Sequence, residues 1–360
     1  MSARFRDTGR ARGFTLVELL LAVGLLSILV LALLRLLDTS ITIWERTDEN
    51  RELSEMSSTV LDLLASDVYA LEGGPRGDLV GDWGLLDIDR DGIAGAPRAR
   101  LRLVRHLDAA GLQRMATDAG QGPEETFDRG LAEVGWALLP GSADPDLRAQ
   151  GVLCRGVRLL GDPGLPSFFE PRFFGAGGKP APGCLSELTG GVLWFEVWFA
   201  SQTSVVHEGW QVGDRLSDCS SSWDAWGKAR ADATVSVFNR PAAGMPQAKE
   251  SPLLPRRVRI ALELERPADL RLRTRLVGAL DQEATQFLVK DGRKLPPAGA
   301  LILIDEEWMK IVSVHDGRVA VERARRATRA AAHPNDSLVH HGWRSEREIP
   351  VDMTREDWDL

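Results

Sequence analysis

The hydrophobic pattern changes character twice along this chain. From Leu19 to Leu34 sixteen residues follow one another without a charge. Phe14 to Leu34 would reach roughly 31 Å as a helix, enough to cross a bilayer core. Further on, Leu53, Met56, Val60, Leu63, Leu64, Val68 and Leu71 keep a three-or-four spacing. That spacing draws one apolar stripe on a helix. Asp67 sits beside the stripe, and Arg51, Glu52, Glu55, Ser58 and Asp62 fill the other side. Gly73-Gly74-Pro75 ends the pattern. The spacing predicts one helix from about Phe14 to Glu72, near 90 Å long at about 1.5 Å per residue.

After Gly73 the period falls to two. Arg100 to Arg105, Glu133 to Leu138, Gly151 to Leu160, Val192 to Phe199 and Arg257 to Glu265 alternate as half-buried strands do. Gly- and Pro-rich stretches, 161–182 and 241–255, separate them. A second group of short apolar runs follows: Leu301 to Ile304, Glu307 to Val314, Val319 to Arg323 and Ser337 to Val339. His315-Asp316-Gly317-Arg318 reads as a hairpin turn, because Asp-Gly tolerates the positive φ it needs. Glu346 to Val351 reads as a last strand returning to the main sheet.

Charge changes the picture at the N-terminus. Arg4, Arg6, Arg10 and Arg12 stand against Asp7 alone, so the segment before the apolar run stays on the cytoplasmic side. Glu18 lies at the start of that run, and a free carboxylate near the membrane core costs about 2.5–3.5 kcal/mol. A group that costly calls for a partner. A cleaved secretory signal would need a small-x-small site after the run, but Leu33-Leu34-Arg35-Leu36-Leu37-Asp38 offers none.

Gly13-Phe14-Thr15-Leu16-Val17-Glu18 resembles the processing site of type IV pilins and type II secretion pseudopilins. The resemblance implies a prepilin peptidase that cuts between Gly13 and Phe14 and methylates the Phe14 amino group. It implies that Glu18 pairs with the amino terminus of a neighbouring subunit during assembly. It also implies an α+β pilin-like fold, a long N-terminal helix packed on an antiparallel β-sheet head. The expected organisation is a leader over 1–13, a membrane or filament-core helix over 14–37, and an amphipathic continuation over 38–72. A β-rich head over 73–280, a small all-β insertion over 281–341 and a final strand and tail over 342–360 complete it.

Ser222-Trp223-Asp224-Ala225-Trp226 precedes Leu254-Pro255-Arg256-Arg257-Val258-Arg259-Ile260. This order is similar to the minor pseudopilin J of type II secretion systems, where a tryptophan turn leads into a Leu-Pro strand. The likeness implies a single-pass protein of the bacterial inner membrane with a periplasmic head. Its implied partners are other minor pseudopilins, the major pseudopilin and the inner-membrane assembly platform, at the tip of a periplasmic pseudopilus. A minor pilin of a type IV pilus or DNA-uptake system is the alternative within the class. A membrane-anchored surface-binding protein is the alternative outside it. The 281–341 segment resembles a small β module of phage-tail and surface proteins. Ala324-Arg325-Arg326-Ala327 stands where that module has glycines.

The remaining chemistry is sparse. Removing the leader's net +3 takes the chain from −8 to −11, which disfavours a nucleic-acid groove. Asp87, Asp89 and Asp91, followed by Gly92, fill positions 1, 3, 5 and 6 of a calcium-type loop. Arg98 stands where the closing glutamate belongs, so an Asp-rich turn held by its own backbone bonds is the alternative. Calcium is the one cofactor the sequence raises. Of the three cysteines, Cys184 and Cys219 could pair outside the cytoplasm, or Cys154, Cys184 and Cys219 could all be buried thiols. No nucleophile elbow, zinc motif or phosphate loop is present, so catalysis is not expected.

Overall fold

A computed structural model describes residues 15–85, 97–108, 130–141, 144, 146–147, 149–162, 164–170, 184–200, 219–220, 222–226, 251–326 and 328–351. It divides into two compact units, 1–52 and 53–360. One helix, α1, runs from Leu16 to Tyr69, the long helix that the spacing predicts. Within the second unit, α1 buries Leu53, Val60, Leu61, Leu64, Ala65 and Val68 against the head. Leu64 is fully buried, and burial of such a side chain contributes about 1.5–3 kcal/mol. Leu61 takes the core position expected of Leu63, which is only partly buried. The helix stops after Tyr69; Leu71 then bridges to Arg105, and the Glu72 amide donates to Val104 O at 3.0 Å.

The head is an antiparallel sheet. Its strands are β1 (Leu79–Leu85), β2 (Pro97–His106), β3 (Leu131–Pro140), β4 (Gly151–Leu159) and β5 (Ser186–Ala200). The short β6 (Cys219–Ser220) and β7 (Trp223–Asp224) follow, then β8 (Arg257–Leu264). With a late strand, β15 (Trp343–Pro350), they stand in the order β15-β8-β5-β4-β3-β2-β1-β7, with β6 on β5. Strand β5 serves two neighbours. Its first half pairs with β4, and from Val192 onward it pairs with β8. Register shifts on both sides and a φ of 70° at Gly191 mark the bend. The bend carries Trp194 to within 5.4 Å of the Trp83 ring. It also lays the Phe199 ring on Gly81, where a Cβ would meet it at 2.2 Å. A side chain at 81 would displace that ring, so the bare glycine leaves room for Phe199 against β1.

A buried carboxylate fastens the helix to this sheet. Asp67 is completely buried. Its Oδ2 accepts from Trp136 Nε1 at 2.8 Å and Arg155 Nε at 2.9 Å. Its Oδ1 accepts from Arg155 Nη2 at 2.7 Å and from Arg105. The donors sit on β2, β3 and β4, so one side chain ties three strands to α1. A buried charge survives only when paired and hydrogen-bonded, and here both oxygens are. The opposite face of β3 is covered by the 164–170 segment. Glu133 there accepts from Arg158 at 2.8 Å and from the Phe168 amide at 2.8 Å, and Phe168 packs with Ala137 and Cys184.

The insertion is a closed barrel of six strands. They are β9 (Thr274–Val277), β10 (Gln286–Val289), β11 (Leu301–Ile304), β12 (Glu307–His315), β13 (Arg318–Arg325) and β14 (Leu338–His340). The barrel begins at Thr274, ahead of residue 281. Val339 pairs with Thr274 to close it. Asp316 and Gly317 take φ of 47° and 78°, as the Asp-Gly turn requires. Ala324 and Arg326, in the stretch that lacks the module's glycines, still hold φ of 57° and 51°. Side-chain interactions compensate for that strained backbone. Glu307 accepts from the Ala324 amide at 3.0 Å and from Arg323 Nη2 at 2.6 Å. Arg326 lies 3.9 Å from the Trp308 ring centre and 4.9 Å from that of Trp194, and donates to Glu263 at 2.7 Å.

That arginine joins barrel to sheet, because Trp308 is on β12, Trp194 on β5 and Glu263 on β8. A second joint surrounds Glu265, which accepts from Arg273 at 2.6 Å and Gln150 at 2.7 Å and contacts His340 Nδ1 at 2.6 Å. Burial opposes ionisation of Glu265, but His340, Arg273 and Gln150 outweigh it and hold its pKa down to about 2. Burial likewise opposes a charge on Glu307, yet Arg323, His333 and two backbone amides hold it down to about 2. Burial pushes His341 down to about 4, so it is neutral at pH 7.

These networks set two expectations. Asp67→Ala should cost about 3 kcal/mol or more, since it strands two arginine charges. Asp67→Asn should fall between it and wild type in urea unfolding of the detergent-solubilised chain. A loss under about 1 kcal/mol, the scale of an exposed ion pair, would show that the cluster is peripheral. On acidification, His341 acts first: between pH 6.5 and about 4 the unfolded chain binds a proton there that the fold excludes, so stability falls. Glu265 and Glu307 shed their stabilising contributions as the pH falls from 4.5 toward about 2. Near-UV circular dichroism against pH should therefore show loss of tryptophan packing in the acid range; an unchanged signal to pH 2 would contradict it.

Candidate functional site

The helix start is built by a reciprocal pair. Thr15 stands just before α1, and its hydroxyl accepts from the Glu18 amide at 3.3 Å. Glu18 Oε2 in return accepts from the Thr15 amide at 2.9 Å and the Thr15 hydroxyl at 3.0 Å. This is a capping box, which satisfies helix-terminal donors that would otherwise lack partners. The charge pattern singles out Glu18 but not Thr15. The signal for Thr15 is Thr-x-x-Glu directly before an apolar run. Glu18 also sits where the positive end of the helix dipole favours an anion.

Beyond the cap, α1 presents apolar side chains outward. Leu16, Val17, Leu19, Leu20, Leu21, Leu25, Leu26, Ile28 and Leu29 are each more than half exposed. Leu16–Ile41 has a mean hydropathy of 2.8 and no buried residue, long and apolar enough to cross a membrane. The hydroxyls in it close on the helix itself. Ser27 donates to Val23 O at 2.8 Å, Thr39 to Arg35 O at 2.9 Å and Ser40 to Leu36 O at 2.8 Å. Polar groups so satisfied fit an environment without water.

Gly13 and Phe14, the expected cleavage pair, lie outside the described residues, as do Asp87, Asp89 and Asp91 of the calcium-type loop. Among the described residues no group of three His, Cys, Asp or Glu side chains is arranged to hold a metal ion. Cys154 and Cys184 are free, buried thiols. Burial pushes Cys154 up to about 11, and it raises Cys184 as well, which leaves both unreactive. The side chain of Cys219, the expected partner of Cys184, is outside the described residues.

Residues 8–34 match the family model described as the prokaryotic N-terminal methylation motif. No curated protein and no solved structure matches the chain. The match takes in Arg10 and Arg12 of the basic segment, the Gly13–Phe14 pair, Thr15 and Glu18, and the uncharged run to Leu34. Together with the exposed apolar helix and the antiparallel β head, it supports a type IV pilin-like protein anchored in a membrane by one segment.

Thr15→Val, which keeps the shape and removes the hydroxyl, should weaken the helix start by about 1 kcal/mol. Amide hydrogen exchange at Leu16 to Leu19 in micelles should speed up several-fold, with exchange at Leu64 unchanged. Equal protection in the variant would show that the cap is dispensable.

Proposed function

We propose that the chain is a minor pseudopilin of a type II secretion system, J-like in character. In this reading a prepilin peptidase cuts after Gly13 and methylates Phe14, with the N-terminus cytoplasmic and the head periplasmic. The subunit joins other minor pseudopilins at the tip of a pseudopilus, on the inner-membrane assembly platform and above the major pseudopilin. Its own part is assembly rather than catalysis.

The observation that carries the pilin-like core of the proposal is the methylation motif continuing into a capped, exposed apolar helix. A second observation favours the J-like assignment. The tryptophan turn and the Leu-Pro lead of β8 are bonded to one another. Trp223 Nε1 donates to Leu253 O at 3.0 Å, and the Leu253 amide donates to Ala225 O at 2.7 Å. The Ala225 amide in turn donates to Leu79 O at 2.9 Å, so the tryptophan turn links β1 to the residues that lead into β8.

The capping box makes the role of Glu18 testable. Breaking the cap costs about 0.5–2 kcal/mol. Leaving a carboxylate unpaired costs about 2.5–3.5 kcal/mol at the centre of a membrane helix and less near the boundary. The two costs are of similar size, so a neighbour's ammonium that pairs with the carboxylate can compete with the cap for Glu18. Glutamine still accepts in a capping box, so Glu18→Gln keeps the cap and loses the charge. Glu18→Gln should then fail to co-purify with the other minor subunits as badly as Glu18→Ala does. If Glu18→Gln assembles normally, Glu18 is a helix cap and nothing more. Deleting the gene should abolish export through the outer membrane while leaving pili intact. Lost piliation with normal export would instead assign the chain to a type IV pilus, and lost adhesion alone would assign it to surface binding.

A further inference from the structure

The apolar face of α1 does not end where its charges begin. Leu33, Leu37, Ile41 and Trp44 follow at intervals of four, four and three, which places them along one face of the helix. All are open: Leu37 is 55% exposed, Ile41 54% and Trp44 78%. Arg35 and Thr39 stand on the other side, and Asp38 flanks the face. The stripe ends sharply. Asp48 and Arg51, four and seven residues past Trp44, return to the same face and pair with each other at 3.8 Å. The segment from Arg35 to Trp44 is therefore amphipathic, with its apolar side continuous with the spanning stretch Leu16–Ile41.

We propose that this face lies in the headgroup layer of the membrane and that Trp44 anchors it there, which fixes a tilted register for the spanning helix. The proposal rests on the membrane-anchored reading of α1. An upright helix fills a hydrocarbon core of about 30 Å with about 20 residues, from Leu16 to Arg35. Trp44 would then stand about 14 Å above Arg35, clear of a headgroup layer only about 5–7 Å deep. A tilt of about 30°, within the usual range, shortens the rise to about 1.3 Å per residue. Trp44 then lies about 36 Å from Leu16 along the normal, inside the headgroup layer, where the amphipathic indole is favoured. Arg35 sits about 5 Å below the hydrocarbon boundary, close enough for its guanidinium to reach the surface along its own stem. Asp38 arrives at the boundary itself. Continuity with the spanning stretch selects lipid as the occupant of the stripe, and the Asp48–Arg51 pair sets its upper limit.

The test uses the full chain in phosphatidylcholine vesicles, with integration checked by resistance to alkaline extraction. Tryptophan emission is recorded for wild type and Trp44→Phe, with nitroxide lipids labelled near the headgroup or at mid-chain. The difference spectrum isolates Trp44 from the other ten tryptophans, and both variants keep the head. The expected difference emission is blue-shifted and quenched at least twofold more by the headgroup label than by the mid-chain label. An integrated protein whose difference emission neither label quenches has Trp44 in water, which overturns the tilted register alone. Emission that depends on the protein-to-lipid ratio assigns the stripe to a second copy and also overturns it. A chain extracted by alkali fails to integrate, and the anchor reading falls together with this one.

Discussion

Asp67 is the constraint on which the head depends. The stem of a pilin-like subunit must be apolar enough to sit in lipid and still be fixed firmly to a folded body. Apolar contact alone leaves a helix free to slide along a sheet, because Leu against Val gives little register information. A carboxylate with both oxygens occupied by Arg105, Arg155 and Trp136 admits one position along the helix axis. The donors come from three adjacent strands, so the same side chain also fixes those strands to each other.

The barrel obeys the same logic. A sixty-odd-residue insertion could hang from its linkers as a separate body. Instead Arg326 is held between Trp308 of the barrel and Trp194 of the sheet, and Glu265 gathers Arg273, Gln150 and His340 from both sides. Leu303 and Trp308 of the barrel join the core of the head itself. The strained backbone at Ala324 and Arg326 belongs to this joint. Glycine would relax it at 326 but would delete the guanidinium that joins the two parts.

Much of this was legible from periodicity. The helix, the main strands and the Asp-Gly turn are local features, and local spacing encodes them. The cap is a local feature too, Thr15 and Glu18 three apart before an apolar run, but the charge pattern points to Glu18 alone. What the sequence hid was non-local. Nothing near Asp67 in the chain announces Arg155, eighty-eight residues away. The sequence marks strand β5 only over Val192 to Phe199, yet the strand starts at Ser186 and changes neighbour at Gly191, which only the register shifts reveal. The short Thr274–Val277 strand lacks a clear alternating signal, and its place is set by closure against Leu338 and Val339. At Gly13 and Phe14 the motif alone carries the information, because the expected cleavage would be a reaction between this segment and an enzyme.

The central claim is that this chain is made to enter a pilin-type assembly pathway, with its leader removed and its stem left as a capped apolar helix. The direct test is the mass of the chain's N-terminal peptide after co-expression with the neighbouring pilin-like genes and the peptidase. The account predicts a chain that begins at N-methylated Phe14. An intact chain that still begins at Met1, under conditions where the peptidase processes a known prepilin, would contradict it.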